Sequence, residues 1–118
     1  MSNFQKSQPG ILKKLKIERL NPMQEEAKTA IVNHSDVMLL SPTGTGKTLA
    51  FLLPLIDQLN PALNEIQLLI LVPSRELAIQ INQVIREMGS GLKTNAVYGG
   101  KSGSKDRMEL KHRPAILV

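Results

Sequence analysis

The chain has 118 residues, room for one domain, and no cysteine, which excludes disulfides and thiolate metal sites and fits a reducing compartment. Apolar residues make up 42% but aromatic ones only 3%, so a globular core has to be aliphatic. The formal charge of +5 favours polyanionic partners, yet the lysines and arginines are spread along the chain, so charge alone describes no more than a basic soluble domain.

The longest apolar run, residues 49–56, is too short to span a bilayer and contains Pro54. Met1-Ser2-Asn3-Phe4-Gln5-Lys6 is polar and lacks the apolar stretch of a signal peptide, so the expected location is the cytoplasm, without a membrane partner. There is no internal repeat and no low-complexity linker. Residues 1–10 read as a loose lead-in that ends at Pro9-Gly10. Residues 11–17 carry apolar side chains at helical spacing with lysines opposite, which predicts a short amphipathic helix with a solvated lysine face. Asn21-Pro22 is a helix start, with Asn as N-cap and Pro at the first helical position. That helix should run to about Val32, its first-turn acids Glu25 and Glu26 suiting the helix dipole. Asn33-His34-Ser35 reads as a turn, and the apolar run Val37-Met38-Leu39-Leu40 predicts a strand.

Next comes Ser41-Pro42-Thr43-Gly44-Thr45-Gly46-Lys47-Thr48, followed by the helix-forming Leu49-Ala50-Phe51-Leu52-Leu53. Strand, glycine loop, Lys-Thr and helix is the setting a phosphate-binding loop requires. A glycine-rich loop lets backbone N–H groups turn inward onto phosphate oxygens, and the helix behind it adds orphan donors and a partial positive charge. Lys47 brings a full charge to the outer phosphates, and the Thr48 hydroxyl can ligate Mg²⁺. These two are the candidate catalytic residues. Ser41 stands where the general motif has glycine, a form similar to the nucleotide loop of superfamily-two helicases. The plainer alternative is a tight glycine turn beside a solvated lysine.

The helix from Lys47 should last about a dozen residues, kinked or shortened by Pro54 and broken at Asn60-Pro61. Residues 67–72 form a continuous β-prone run, as in a strand buried on both faces, that Pro73 ends. Ser74 should cap a helix from Glu76 to about Met88, with Leu77, Ile81, Val84 and Ile85 or Met88 on one face and Gly89 and Gly91 closing it. Residues 94–98 predict a third strand, Gly99-Gly100 a turn, residues 102–111 a helix and residues 115–118 a fourth strand. Strands alternating with helices give an α/β fold on a mostly parallel sheet, with ligands at the edge where strands lead into helices.

Four stretches now stand in order: Leu20-Asn21-Pro22-Met23-Gln24, the phosphate loop, Pro73-Ser74-Arg75-Glu76-Leu77-Ala78 and Tyr98-Gly99-Gly100. Together they resemble the first half of the N-terminal RecA-like domain of a DEAD-box RNA helicase, from about Ile17 to the last residue. The resemblance implies a parallel-sheet P-loop NTPase of three layers, here incomplete, with residues 1–118 as a fragment of its ATP-binding domain. It implies ATP, ADP, Mg²⁺ and RNA as ligands. Gln24 looks like the family's adenine-recognising glutamine, since a carboxamide offers the donor and acceptor that match adenine; the alternative is a solvent-exposed glutamine. Ile17 stands where the family usually has an aromatic beside the base, and Leu20 where it usually has proline, so base stacking should be weaker than usual. Phe4 looks like the upstream aromatic, at short spacing. Residues 41–48 would hold the phosphates. Pro73, Ser74, Arg75, Gly99 and Gly100 would meet RNA, Arg75 by guanidinium–phosphate contact; the alternative, pairing with Glu76, Glu87 or another acid, is compatible with that contact. His34 and His112 are read as surface residues.

A phosphate-loop ATPase also needs an acid at the end of a second buried strand. Asp36 lies at the wrong end of its run, Asp57 and Asp106 fall in helices or turns, and the Asp-Glu-Ala-Asp motif, the Ser-Ala-Thr motif and a second RecA-like domain are all absent. The expectation is therefore a catalytically incomplete piece of a longer helicase, prone to self-association. Its rivals are a phosphate-loop kinase or ATPase that ignores nucleic acid, and a non-catalytic RNA-binding module.

Overall fold

The computed structural model describes residues 8–99, 107, 111 and 113–118. Its elements run α1 (Gln8–Leu15), α2 (Pro22–Asn33), α3 (Lys47–Asp57), β1 (Leu68–Leu69), α4 (Arg75–Met88), β2 (Thr94–Asn95) and β3 (Ile116–Leu117). The three strands make one parallel sheet in the order β1-β3-β2. β3 is central: Leu68 and Thr94 both stand opposite Ile116, and Leu69 and Asn95 opposite Leu117. Hydrogen bonds extend the pairing past these short strands, from Ile70 N–H to Leu117 O at 2.9 Å and from Val97 N–H to Val118 O at 3.0 Å. Because the strands are parallel, the segments that leave their C-terminal ends emerge at one sheet edge.

The core is aliphatic, as the scarcity of aromatics requires. Ile11 and Leu12 of α1, Leu52, Leu53 and Ile56 of α3, Ile81, Ile85 and Met88 of α4, and Ile116 of β3 are buried in one cluster. In α4 the buried side chains Ala78, Ile81, Asn82, Ile85 and Met88 recur at helical spacing along a single face. Ser74 caps that helix, its Oγ accepting the Leu77 N–H at 3.2 Å, and Gly89 ends it in the left-handed region with φ 59°. Asn82 and Thr94 pin the helix to β2, the Thr94 hydroxyl donating to Asn82 Oδ1 at 2.8 Å.

α3 tolerates Pro54 and continues to Asp57. An interior proline costs a helix about 3 kcal/mol. Full burial of an aliphatic side chain contributes about 1.5–3 kcal/mol, and Leu52, Leu53 and Ile56 flank the proline in the core. Burial outweighs the missing hydrogen bond, so of the two expected effects of Pro54 the early end does not occur, and the helix has 11 residues against the dozen or so expected.

Other expectations change. α1 begins at Gln8 and takes in Pro9-Gly10, which were expected to be lead-in, because Gly10 and Ile11 are buried against the core. Its lysine face is exposed, as expected, at Lys13, Lys14 and Lys16, and Lys14 Nζ also donates to Gly89 O at 2.6 Å, placing a cation on the carbonyl end of α4. Residues 37–40 make no strand pairing among the described residues, and Met38 and Leu40 are 83% and 84% exposed. Apolarity alone does not make a strand; a ladder partner is needed, and no described segment supplies one. β1 is likewise an outer strand of the described sheet rather than one buried on both faces, with Leu69 59% and Leu71 85% exposed. The expected helix over residues 102–111, apart from Arg107 and Lys111, lies outside the described residues, as do Phe4, Gly100 and His112. No described helix is long and apolar enough to cross a membrane.

The core assignment is checked by urea unfolding followed by circular dichroism. Ile85→Ala should destabilise the chain by about 2–5 kcal/mol. Ile79→Ala, on the exposed side of the same helix, should change stability by about 0.5 kcal/mol or less. Equal losses at the two positions would contradict the packing described.

Candidate phosphate-loop site

The loop at residues 41–48 is closed by its own side chains. The Thr45 hydroxyl donates to Pro42 O at 2.7 Å. Its single proton is then used, so the contact between Ser41 Oγ and Thr45 Oγ1 is made with the Ser41 hydroxyl as donor. Ser41, at the position where the general motif has glycine, thereby ties the first residue of the loop to its fifth. Gly44 and Gly46 have φ of 83° and 88°, a region that L-residues with side chains rarely enter.

Gly46 is the N-cap of α3 and supplies no side-chain cap. The first amides of that helix are therefore left for a ligand or solvent. Lys47 and Thr48 occupy its first two positions, both half-buried. Among the described residues the Lys47 ammonium forms no ion pair. A loop with uncapped amides, the positive end of a helix dipole and an unpaired lysine is an anion-binding arrangement.

The first turn of α2 is built against this loop. Asn21 and Gln24 form a capping box: Gln24 N–H donates to Asn21 Oδ1 at 2.8 Å, and Asn21 N–H donates to Gln24 Oε1 at 3.0 Å. The same two carboxamides then reach outward. Gln24 Nε2 donates to Gly46 O at 3.2 Å and Asn21 Nδ2 to Thr45 O at 3.0 Å. Gln24 is only 7% exposed, which overturns the alternative of a solvent-facing glutamine. A Cβ added at Gly46 would lie 2.5 Å from Gln24 Nε2, so a side chain there would displace the Gln24 carboxamide as well as strain the backbone. Ile17 is half-buried against the core cluster, with part of its side chain still accessible.

A second group of expected residues meets where β1 and β2 leave the sheet. Arg75 opens α4 just after Pro73 and the cap Ser74, and its Nη1 donates to Gly99 O at 3.5 Å. Its Nη2 lies 3.8 Å from Glu76 Oε1, with both side chains more than half exposed. The two motifs that carry Arg75 and Gly99 are thus brought together, although they are 24 residues apart.

Sequence reasoning assigned Asn21 only a capping role and missed its bond to the loop. The signal was available in the residue type: serine and aspartate cap about as well as asparagine, but neither carries an amide donor beside the acceptor. Lys14 on Gly89 and Asn82 on Thr94 join residues far apart in the chain and leave no local signature.

A sequence model of the DEAD/DEAH box helicase family matches residues 21–118. The chain is similar to the probable ATP-dependent RNA helicase YfmL of Bacillus subtilis, 43% identical over 103 residues, which cover 86% of this chain and 27% of that protein. It is 41% identical to the ATP-dependent RNA helicase DHH1 of Kluyveromyces lactis over 86% of this chain and 20% of that one. It therefore spans about a quarter of the length of these relatives. Among solved structures, a hypothetical ATP-dependent RNA helicase from Sulfolobus tokodaii superimposes with TM-score 0.78 at 22% identity, over 100% of this chain and 33% of that one, which shows the fold. Dbp5 of Saccharomyces cerevisiae, solved with Nup159, Gle1, IP6 and ADP, matches with TM-score 0.67 at 30% identity over 82% of this chain and 28% of that one. With motifs, fold and family model in agreement, the chain is a RecA-like α/β piece that belongs to the DEAD/DEAH box helicase family.

Proposed function

We propose that residues 1–118 are the N-terminal part of the first ATP-binding domain of an ATP-dependent RNA helicase, one that unwinds or remodels short RNA duplexes. The observation that carries this reading is the direct contact of the adenine-reading candidate with the phosphate loop, Gln24 Nε2 on Gly46 O. A carboxamide has two N–H donors and two acceptor lone pairs. Gln24 uses one of each within the protein. One of each remains for a base, which is what adenine readout requires.

The residues present fit ATP. Residues 41–48 would take the phosphates on backbone amides and Lys47, Gln24 would meet the base, and Ile17 would cover it by aliphatic contact. The Thr48 hydroxyl would be one ligand of Mg²⁺. Bound ATP with its magnesium supplies a phosphoryl group for hydrolysis. None of the described strands ends in the acid that hydrolysis needs, so this chain alone should bind nucleotide weakly and turn it over negligibly. Pro73, Ser74, Arg75, Gly99 and Gly100 would hold the RNA backbone.

The test is a titration of the full chain with Mg-ADP and Mg-GDP, its fold confirmed by circular dichroism. Saturable binding should prefer ADP, lose that preference in Gln24→Ala and disappear in Lys47→Ala. Equal affinity for the two nucleotides would remove the adenine assignment, and measurable ATP turnover abolished by Lys47→Ala would contradict the claim of incompleteness. The exposed Met38, Leu40, Leu69 and Leu71 also make self-association the expected behaviour. Light scattering should show mass rising with concentration and reduced by Leu71→Lys; a wild-type chain that stays monomeric at high concentration would refute it.

A further inference from the structure

We propose that Asn21 is a positioning residue for the phosphate loop, holding the Thr45–Gly46 peptide with its N–H turned away from α2, in addition to capping that helix. The inference rests on the reading of residues 41–48 as a nucleotide site.

The geometry is specific. Two consecutive carbonyls of the loop, Thr45 O and Gly46 O, are each held by a carboxamide from the first turn of α2, at 3.0 Å by Asn21 Nδ2 and at 3.2 Å by Gln24 Nε2. The two carboxamides also hold each other's backbone amides. A trans peptide is planar, and its C=O and N–H point in opposite directions. Drawing Thr45 O towards α2 therefore turns the Gly46 N–H away from α2. Drawing Gly46 O the same way does this for Lys47 N–H. With φ 88° and no Cβ, Gly46 does not itself restrict its flanking peptides, which need other restraints if they are to present donors to an anion. Gly46 O is also fixed by the helix itself through Ala50 N–H at 3.1 Å. For Thr45 O, the Asn21 amide is the hydrogen bond given by the structure. Asn21 thus controls the peptide that α3 does not.

The helix start does not require asparagine, since serine and aspartate cap about as well. Each keeps the acceptor and lacks the Nδ2 donor. Asn21→Ser and Asn21→Asp accordingly separate the two roles, and serine does so without adding charge.

The experiment measures binding of Mg-ADP and of Mg-pyrophosphate to the full chain, together with the thermal unfolding midpoint. Both variants should unfold near the wild-type temperature. Asn21→Ser should bind Mg-ADP about three- to tenfold more weakly, the loss expected for one hydrogen bond, and Asn21→Asp at least as much more weakly because its added charge opposes the phosphates. Mg-pyrophosphate should weaken by a similar factor, because the restraint acts on the phosphates and not on the base. Unchanged affinity in Asn21→Ser, with the wild type binding normally, would overturn the inference and leave Asn21 a cap. So would a loss confined to ADP, or one that merely follows a lowered unfolding midpoint. A folded wild type that binds neither ligand would overturn the nucleotide reading itself, and the clamp with it.

Discussion

The arrangement depends on one constraint: the orphan amides at the start of α2 must be satisfied, and the side chains that satisfy them are also those that hold the phosphate loop. Asn21 and Gln24 close a capping box, and the donor ends of the same carboxamides reach Thr45 O and Gly46 O. Helix start and loop shape are therefore not independent features. The entry of the chain into α2 is set in turn by Leu20, which is buried in the aliphatic cluster with Ile11 and Leu12 of α1. Core packing is thus transmitted to the loop through two side chains of a single helical turn.

The sheet serves the second cluster differently. β3 sits between β1 and β2 and holds them parallel, so residues after both outer strands arrive at one edge. Arg75 and Gly99 meet there, but the contacts are long, 3.5 Å to Gly99 O and 3.8 Å to Glu76. Exposed ion pairs contribute about 0–1 kcal/mol, and hydrogen bonds near 3.5 Å lie at the weak limit. A bidentate phosphate contact would be stronger than either. The guanidinium is positioned without being committed, which suits a residue proposed to meet a polyanion.

What could be read from the sequence was what local chemistry determines. The cap at Asn21, the proline at the first position of α2, the glycine loop, the Ser74 cap and the Ile81–Ile85–Met88 stripe all stand where their residue types require. What could not be read was pairing between distant segments. Residues 37–40 and 67–72 have the same apolar, β-prone character, yet among the described residues only the second finds a ladder, on Ile116 and Leu117. The extension of α1 back to Gln8 likewise depends on a core that Pro9-Gly10 gives no hint of. Lys14 was read by its own helix's periodicity, while its position is set by the carbonyl end of α4, 75 residues away.

Gln24 shows why opposing a structural role to a recognition role can mislead. A buried glutamine bonded at both ends of its carboxamide looks, by burial alone, like a residue serving the fold. Counting its hydrogen-bonding capacity changes that: the fold uses one of two donors and one of two acceptors. The remaining pair is held in a fixed orientation by the bonds already made, so a base that matches it would meet a group whose rotamer entropy is already lost. A solvent-exposed glutamine would have to be ordered on binding and would discriminate less. On the proposed reading, the burial that seems to argue against recognition would be what makes it selective, and Gly46 O would join the base-reading side chain to the loop.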